Sequence, residues 1–213
     1  MGSNFALEGM PERYSYPPEY TKYDTQYQGL KEAIGWTWWD TLAYTSAATT
    51  ALAYFTATRA TLNLGNMEIA GQLASPKAFF VRAIRVKINI PPFATTAAAD
   101  ANIQTGAIND MRLLLEFGVL QLTIGQKVYG QWLLWELPAG GGVVSAGVYP
   151  IAQYGNNGLQ DSRVVYTLSK PLFIAPQINF RVDLLWPAGA QTLVAGNPNI
   201  VVLLDGDLIR PVQ

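Results

Sequence analysis

The run from Gln177 to Trp186 alternates almost without fault, with Ile178, Phe180, Val182, Leu184 and Trp186 on one side and Asn179, Arg181 and Asp183 on the other. A period of two is the mark of a strand with one buried and one wet face. After a connection rich in Pro, Gly, Ala and Asn comes Asn199–Leu204, apolar on both faces, as in a strand covered from both sides. Such a pair of strands must bury its apolar faces against a second layer. The upstream chain has to supply that layer.

It contains the parts to do so. Phe79–Ile90 reads as a strand with Phe80, Ile84, Val86, Ile88 and Ile90 on one face and Arg85, Lys87 and Asn89 on the other. Arg82 is the exception on the apolar face, and Pro91-Pro92 ends the strand. Met111–Ile124 and Lys127–Leu137 read as two strands joined at Gly125-Gln126, a hairpin signal. Leu42–Thr58 gives one or two further strands, because its Thr and aromatic content outweighs its alanines. Leu64–Leu73 reads as a short strand or helical turn, and Arg163–Ser169 as a strand. Between them, Phe93–Asn109 reads as a loop with one helical turn around Asp100, Tyr154–Gly158 as a turn, and Pro171–Pro176 as a connector. Asp205-Gly206-Asp207 reads as a turn between two short strands. The total is about eight to ten strands with no long helix, which predicts an all-β sandwich or barrel.

Composition narrows the chemistry. The chain has no histidine and no cysteine, which removes Ser-His-Asp and Cys-His triads, thiolate nucleophiles, disulfides and His- or Cys-bound metals. Asp205 and Asp207 alone offer too few oxygens for calcium. Glu116 and Glu136 sit on adjacent predicted strands, but any hairpin brings acids together, so they do not identify a glycosidase pair. The glycines at 140–142 are followed by neither Lys-Ser/Thr nor a helix start, so they form no phosphate loop. The expectation is a non-enzyme with no catalytic residues, no cofactor and no metal. Met1–Met10 has neither a basic start nor an apolar run and is not read as a secretory signal. Thr41–Ala60 is too rich in Thr, Ser and Ala, and carries Arg59, so it is not read as a membrane span.

Half of the residues are hydrophobic and only 14% are charged, so part of the exterior is expected to be covered by partners. Residues 1–34 stand apart from 35–213. They hold five of the eleven tyrosines (Tyr14, Tyr16, Tyr20, Tyr23, Tyr27) with Pro11, Pro17 and Pro18, and show no helical or strand period. Flexible tails are poor in aromatics and interfaces are rich in them, so this segment reads as an extended arm that orders against neighbours. Its three basic residues, Arg13, Lys22 and Lys31, face five acidic ones, Glu8, Glu12, Glu19, Asp24 and Glu32, a net −2. Phosphate binding needs the opposite sign, so no direct nucleic-acid contact is expected. Trp36 and Trp38 follow at once, on one face of an extended segment with Trp39 opposite, and are expected to be packed in core and interface.

Several segments together resemble a known family. These are Asn66–Leu73 running into Phe79–Val86, then Leu120–Tyr129, Pro171–Phe180 and Leu203–Gln213. In strand-and-turn rhythm they are similar to the single jelly-roll, capsid-type structural proteins of tailless icosahedral bacteriophages. The resemblance implies an all-β fold, a single eight-stranded jelly-roll sandwich of two four-stranded sheets over residues 35–213, with an extended N-terminal arm. It further implies a shell subunit of the virion, made in the host cytoplasm. Its partners would be copies of itself, other virion proteins and, where one is present, an internal lipid membrane. The interface candidates are then Tyr14, Tyr16, Tyr20, Tyr23, Tyr27, Trp36 and Trp38. The alternative is a carbohydrate- or receptor-binding β-sandwich of the phage decoration or spike type, with Trp36, Trp38, Trp132 and Trp135 as a stacking platform.

Overall fold

The structure is a computed structural model that describes residues 31–93, 103–141, 144–146, 153–157, 166–194 and 196–211. The described residues are mostly β, in two antiparallel sheets, consistent with an all-β sandwich. The strands are β1 (Lys31–Ala43), β2 (Ala51–Tyr54), β3 (Ala78–Phe93), β4 (Val119–Ile124), β5 (Lys127–Leu133), β6 (Val144–Ala146), β7 (Gln153–Asn156), β8 (Thr167–Ile174), β9 (Phe180–Leu185) and β10 (Asn199–Pro211). One helix, α1 (Ile103–Phe117), precedes β4, and a 3₁₀ turn (Leu134–Glu136) follows β5. The six-stranded sheet runs β1-β10-β3-β7-β6, with β8 also paired to β3, and the four-stranded sheet runs β2-β9-β4-β5. The pairings nest: β1 with β10, β2 with β9, β3 with β8 and β4 with β5. The ladders β3–β10 and β4–β9 then tie the nested pairs into the two sheets.

The core lies between the sheets. Ile84, Val86 and Ile88 of β3 and Ile200, Val202 and Leu204 of β10 face Leu120 and Leu122 of β4 and Val182 and Leu184 of β9, all fully buried. Phe180 closes one end against Phe55, ring centroids 5.7 Å apart, and Trp186 the other against Tyr44 at 4.7 Å. The Trp186 indole donates to the Leu114 carbonyl at 3.1 Å, fastening α1 to the end of the sandwich. The Tyr54 hydroxyl crosses the core from β2 to donate to the Ile200 carbonyl of β10 at 3.1 Å.

Several expectations from sequence need correction. Phe80 does not share a face with Ile84. In the β3–β10 ladder Asp205 pairs with Ala83 and Gly206 with Val81, so Arg82 is an extra residue, a β-bulge. The bulge shifts the phase by one. Phe79 and Val81 enter the main core, while Phe80 turns outward into a small second cluster with Ala78, Ile209 and Phe173. It also explains why a charged Arg82 could interrupt an apolar face: its side chain is exposed and binds Asp207. Ile178 lies before β9 and is exposed rather than in the core.

Met111–Phe117 is helix rather than strand. The run Met-Arg-Leu-Leu-Leu-Glu is made of good helix formers, and the helix buries Met111 and Leu114 while Arg112 and Glu116 pair at i,i+4 on the wet side. Gly118 separates α1 from β4, and a side chain there would collide with Leu134 and with the Leu114 carbonyl. The Gly125-Gln126 turn is present as a two-residue hairpin loop, with Gly125 at φ +61° as its first central residue. The predicted strand Lys127–Leu137 ends at Leu133 and continues as the 3₁₀ turn. The predicted turn at Tyr154–Gly158 is largely strand β7, and Pro171–Ile174 of the predicted connector belongs to β8. Asp205-Gly206-Asp207 is no turn either, but the middle of β10 at the bulge.

Candidate assembly and binding surfaces

Of the sequence-predicted interface residues, Tyr14, Tyr16, Tyr20, Tyr23 and Tyr27 lie outside the described residues. Lys31–Ile34, from the end of the predicted arm, belong to β1 and pair with Leu208–Pro211. Trp36 and Trp38 share the inner face of β1, as their spacing requires, and meet edge to face at 5.8 Å. Their surroundings differ sharply. Trp38 is 2% exposed and stacks edge-on against Phe79, whereas Trp36, opposite Gly206, stays 40% exposed. The four-tryptophan platform is not brought together on one element: Trp132 packs on the core from β5, and Trp135, 65% exposed, projects from the 3₁₀ turn beyond it.

Among the described residues β1 is an edge strand, and a loop covers part of it. The Asn66 side chain accepts from the Trp39 N–H at 2.8 Å and donates to the Thr37 carbonyl at 2.8 Å, acting as a one-residue substitute strand. Thr41 N–H donates to Leu64 O at 2.7 Å alongside. Unpaired strand edges are sticky, and this cover limits where β1 can pair with another chain. The loop is held by Asp40, 1% exposed, whose carboxylate accepts from Arg59 Nε at 2.5 Å and Nη2 at 2.7 Å, Phe55 N–H at 2.7 Å and Thr41 N–H at 2.9 Å. The Thr41 N–H is shared with the Leu64 carbonyl, so the Arg59 guanidinium and the Phe55 N–H are the main partners of the carboxylate. The bond to Asp40 raises the Arg59 pKa further above its ordinary value. Burial pushes the neighbouring Tyr54 phenol well above its ordinary value, and the Asp40 charge adds to that shift. One of Asp40's bonds also holds Phe55 in a left-handed backbone conformation, φ +63°.

The Asp-Gly-Asp cluster is satisfied in the same way. Asp205 accepts from Arg85 at 2.5 and 2.7 Å and from the Thr37 hydroxyl at 2.7 Å, and Asp207 pairs with Arg82. Among the described residues no three metal-ligand side chains converge. Glu116 pairs with Arg112 on α1, and Glu136 lies in the 3₁₀ turn, so the two acids do not sit across a hairpin. No helix among the described residues is long and apolar enough to cross a membrane.

Two surfaces stand out that sequence reasoning did not single out. The first is β5, which ends the four-stranded sheet among the described residues and exposes Val128 and Leu133 on its outer face and Tyr129 at a bulge, with Trp135 exposed just beyond. Large apolar side chains along an unpaired edge mark a surface suited to a partner. The second is a groove of 580 Å³ on the outer face of the same sheet, lined by residues that include Thr56, Gln121, Thr123, Val128, Asn179 and Arg181. Its walls come from chain segments far apart in sequence, so no local motif announces it. No protein-family model matches the chain, and no curated protein matches it.

Proposed function

We propose that this chain is a structural shell subunit of a virion, a single jelly roll over residues 35–213 with residues 1–34 as an arm that ties neighbouring copies together. The observation that carries the reading is the nested strand pairing. The pairs β1–β10, β2–β9, β3–β8 and β4–β5 support it, because one long hairpin rolled into a sandwich, as in a jelly roll, would pair its strands in this order, with β6 and β7 as an excursion between β5 and β8. The β3–β10 and β4–β9 ladders are the contacts that rolling the hairpin creates.

Three features favour the shell role within that plan. The arm joins the body at β1, the outermost strand of its sheet, from which a chain can leave toward a neighbour. The β5 edge and Trp36 offer apolar contact surface at separate places on the subunit. The ionic groups of the two aspartate clusters are spent on internal pairs, so neither offers reactive chemistry. The partners in this reading are copies of the chain and other virion proteins, with protein rather than nucleic acid as the target of the net-negative arm. Limited proteolysis tests it. Free subunits should be cut between Tyr14 and Lys31 and assembled ones protected there; equal cutting in both states would contradict the arm's role.

A further inference from the structure

We propose that the groove on the outer face of the four-stranded sheet is a carbohydrate-binding site for a neutral, polyhydroxylated ligand. The proposal does not rest on the shell reading: it shares Val128 with the β5 edge but takes its selectivity from Gln121, Thr123 and Asn179, which that reading does not use. The groove's volume of 580 Å³ falls in the range of about 300–1,000 Å³ usual for small-ligand clefts. Its position is set by the ladder: on the outer face Gln121 lies between Gln131 of β5 and Asp183 of β9, and Thr123 between Val128 and Arg181. The hairpin turn closes one end, where the Gly125 N–H donates to the Asn179 carbonyl at 2.6 Å. Strands and a tight turn make a rigid platform, which lowers the ordering cost of binding.

The charge balance selects the ligand class. Among the described residues Arg181 is the one charged side chain lining the groove, and its Nε lies 2.9 Å from the Asp183 carboxylate. The pair cancels, so no net field draws an anion or a cation. What remains is hydrogen bonding from groups that both donate and accept, namely the Thr56 and Thr123 hydroxyls and the amides of Gln121, Gln126 and Asn179. Sugar hydroxyls have the same dual character.

The amides are also oriented. Gln72 Nε2 donates to Asn179 Oδ1 at 2.5 Å, and Gln131 Nε2 donates to Gln121 Oε1 at 2.7 Å. Each bond occupies the amide oxygen; the Asn179 NH₂ is left as a donor, while the Gln121 NH₂ reaches the Thr123 hydroxyl at 3.5 Å and keeps one N–H for a ligand. Val128 and, beside Gly125, Ile178 are both exposed and offer apolar surface for the C–H face of a sugar ring. An ordinary solvated sheet face needs neither fixed amides nor a concavity.

Saturation-transfer NMR on the full chain provides the test, since it tolerates both subunits and assemblies. The probes are maltotriose, cellotriose, mannotriose and triacetylchitotriose, with trigalacturonate as the charged control. At least one neutral trisaccharide should show saturable transfer. Gln121→Ala and the nearly isosteric Thr123→Val should each weaken it by about tenfold, the loss of one good hydrogen bond, with unchanged melting temperature. Trp36→Ala and Trp135→Ala should leave it intact. Transfer to none of the neutral probes, transfer to trigalacturonate alone, or binding lost in the tryptophan variants and retained in Gln121→Ala and Thr123→Val would each overturn the proposal.

Discussion

The outer faces of the two sheets are built on opposite terms. On the six-stranded sheet Arg85 is only 5% exposed although it points away from the core, clamped on Asp205, and Ala78, Phe80, Phe173 and Ile209 form a second buried cluster nearby. On the four-stranded sheet the equivalent face carries Gln121, Thr123 and Arg181 around an open groove. The six-stranded sheet thus covers part of its outer face with its own side chains and serves as the frame. The other has one side committed to the core and one to solvent, where a ligand can reach it. In β10, Ile200, Val202 and Leu204 are buried while Val201 and Leu203 on the other face are half-buried, so the strand is not covered on both sides as its continuous apolar sequence predicts.

The largest effects should separate inner from outer positions. Phe180→Ala and Trp38→Ala, both in the core, should each cost about 3–5 kcal/mol in a denaturant melt. Gln121→Ala on the groove and Trp36→Ala on the rim should stay within about 0.5 kcal/mol for the isolated subunit. Comparable losses at Trp36 and Trp38 would erase the distinction drawn between the two rings. A smaller effect is expected at the bulge. Gly206 faces the Phe80 carbonyl so closely that an added Cβ must displace backbone, and Gly206→Ala should cost about 1–3 kcal/mol. A neutral Gly206→Ala would mean that the frame gives more easily than its packing implies.

Alkaline pH probes the junction between the sheets. The Tyr54 phenol is held well above its ordinary value, so its contribution is complete below the unfolded-state pKa of about 10 and is lost as pH rises toward the folded value. Stability should fall above that point by about 1.4 kcal/mol per pH unit for this one group. Tyr54→Phe should lose about 1 kcal/mol at neutral pH, from the bond to Ile200, and flatten the alkaline slope. Urea midpoints measured at several pH values for both proteins would decide it; identical slopes would remove Tyr54 as the cause.

Sequence legibility followed the same division between local and distant causes. The β9 alternation, the hairpin at Gly125-Gln126 and the shared face of Trp36 and Trp38 are local patterns, and each appears in the fold. The bulge at Arg82 was not legible, because one inserted residue leaves the apolar residues in place and changes only their phase. The helix is hard to read because Met111, Leu113, Leu114 and Leu115 satisfy both a helical and an extended period. The Asp205 and Asp207 partners lie on β1 and β3, far away in sequence, so the pair resembled a turn. The groove draws together Thr56, Gln121 and Asn179 from three segments, and only the sheet order makes them neighbours.

The proposed shell role requires copies of this chain to assemble by repetition. Size-exclusion chromatography of the purified full chain at high concentration, with negative-stain imaging of the eluted fractions, addresses it most directly. The account predicts large assemblies with regular, closed or quasi-symmetric contacts, each burying well over ~1,000 Å² per pair. They should be lost when residues 1–30, which precede β1, are removed. A full chain that elutes as a monomer at every concentration and shows no particles in the images would contradict it.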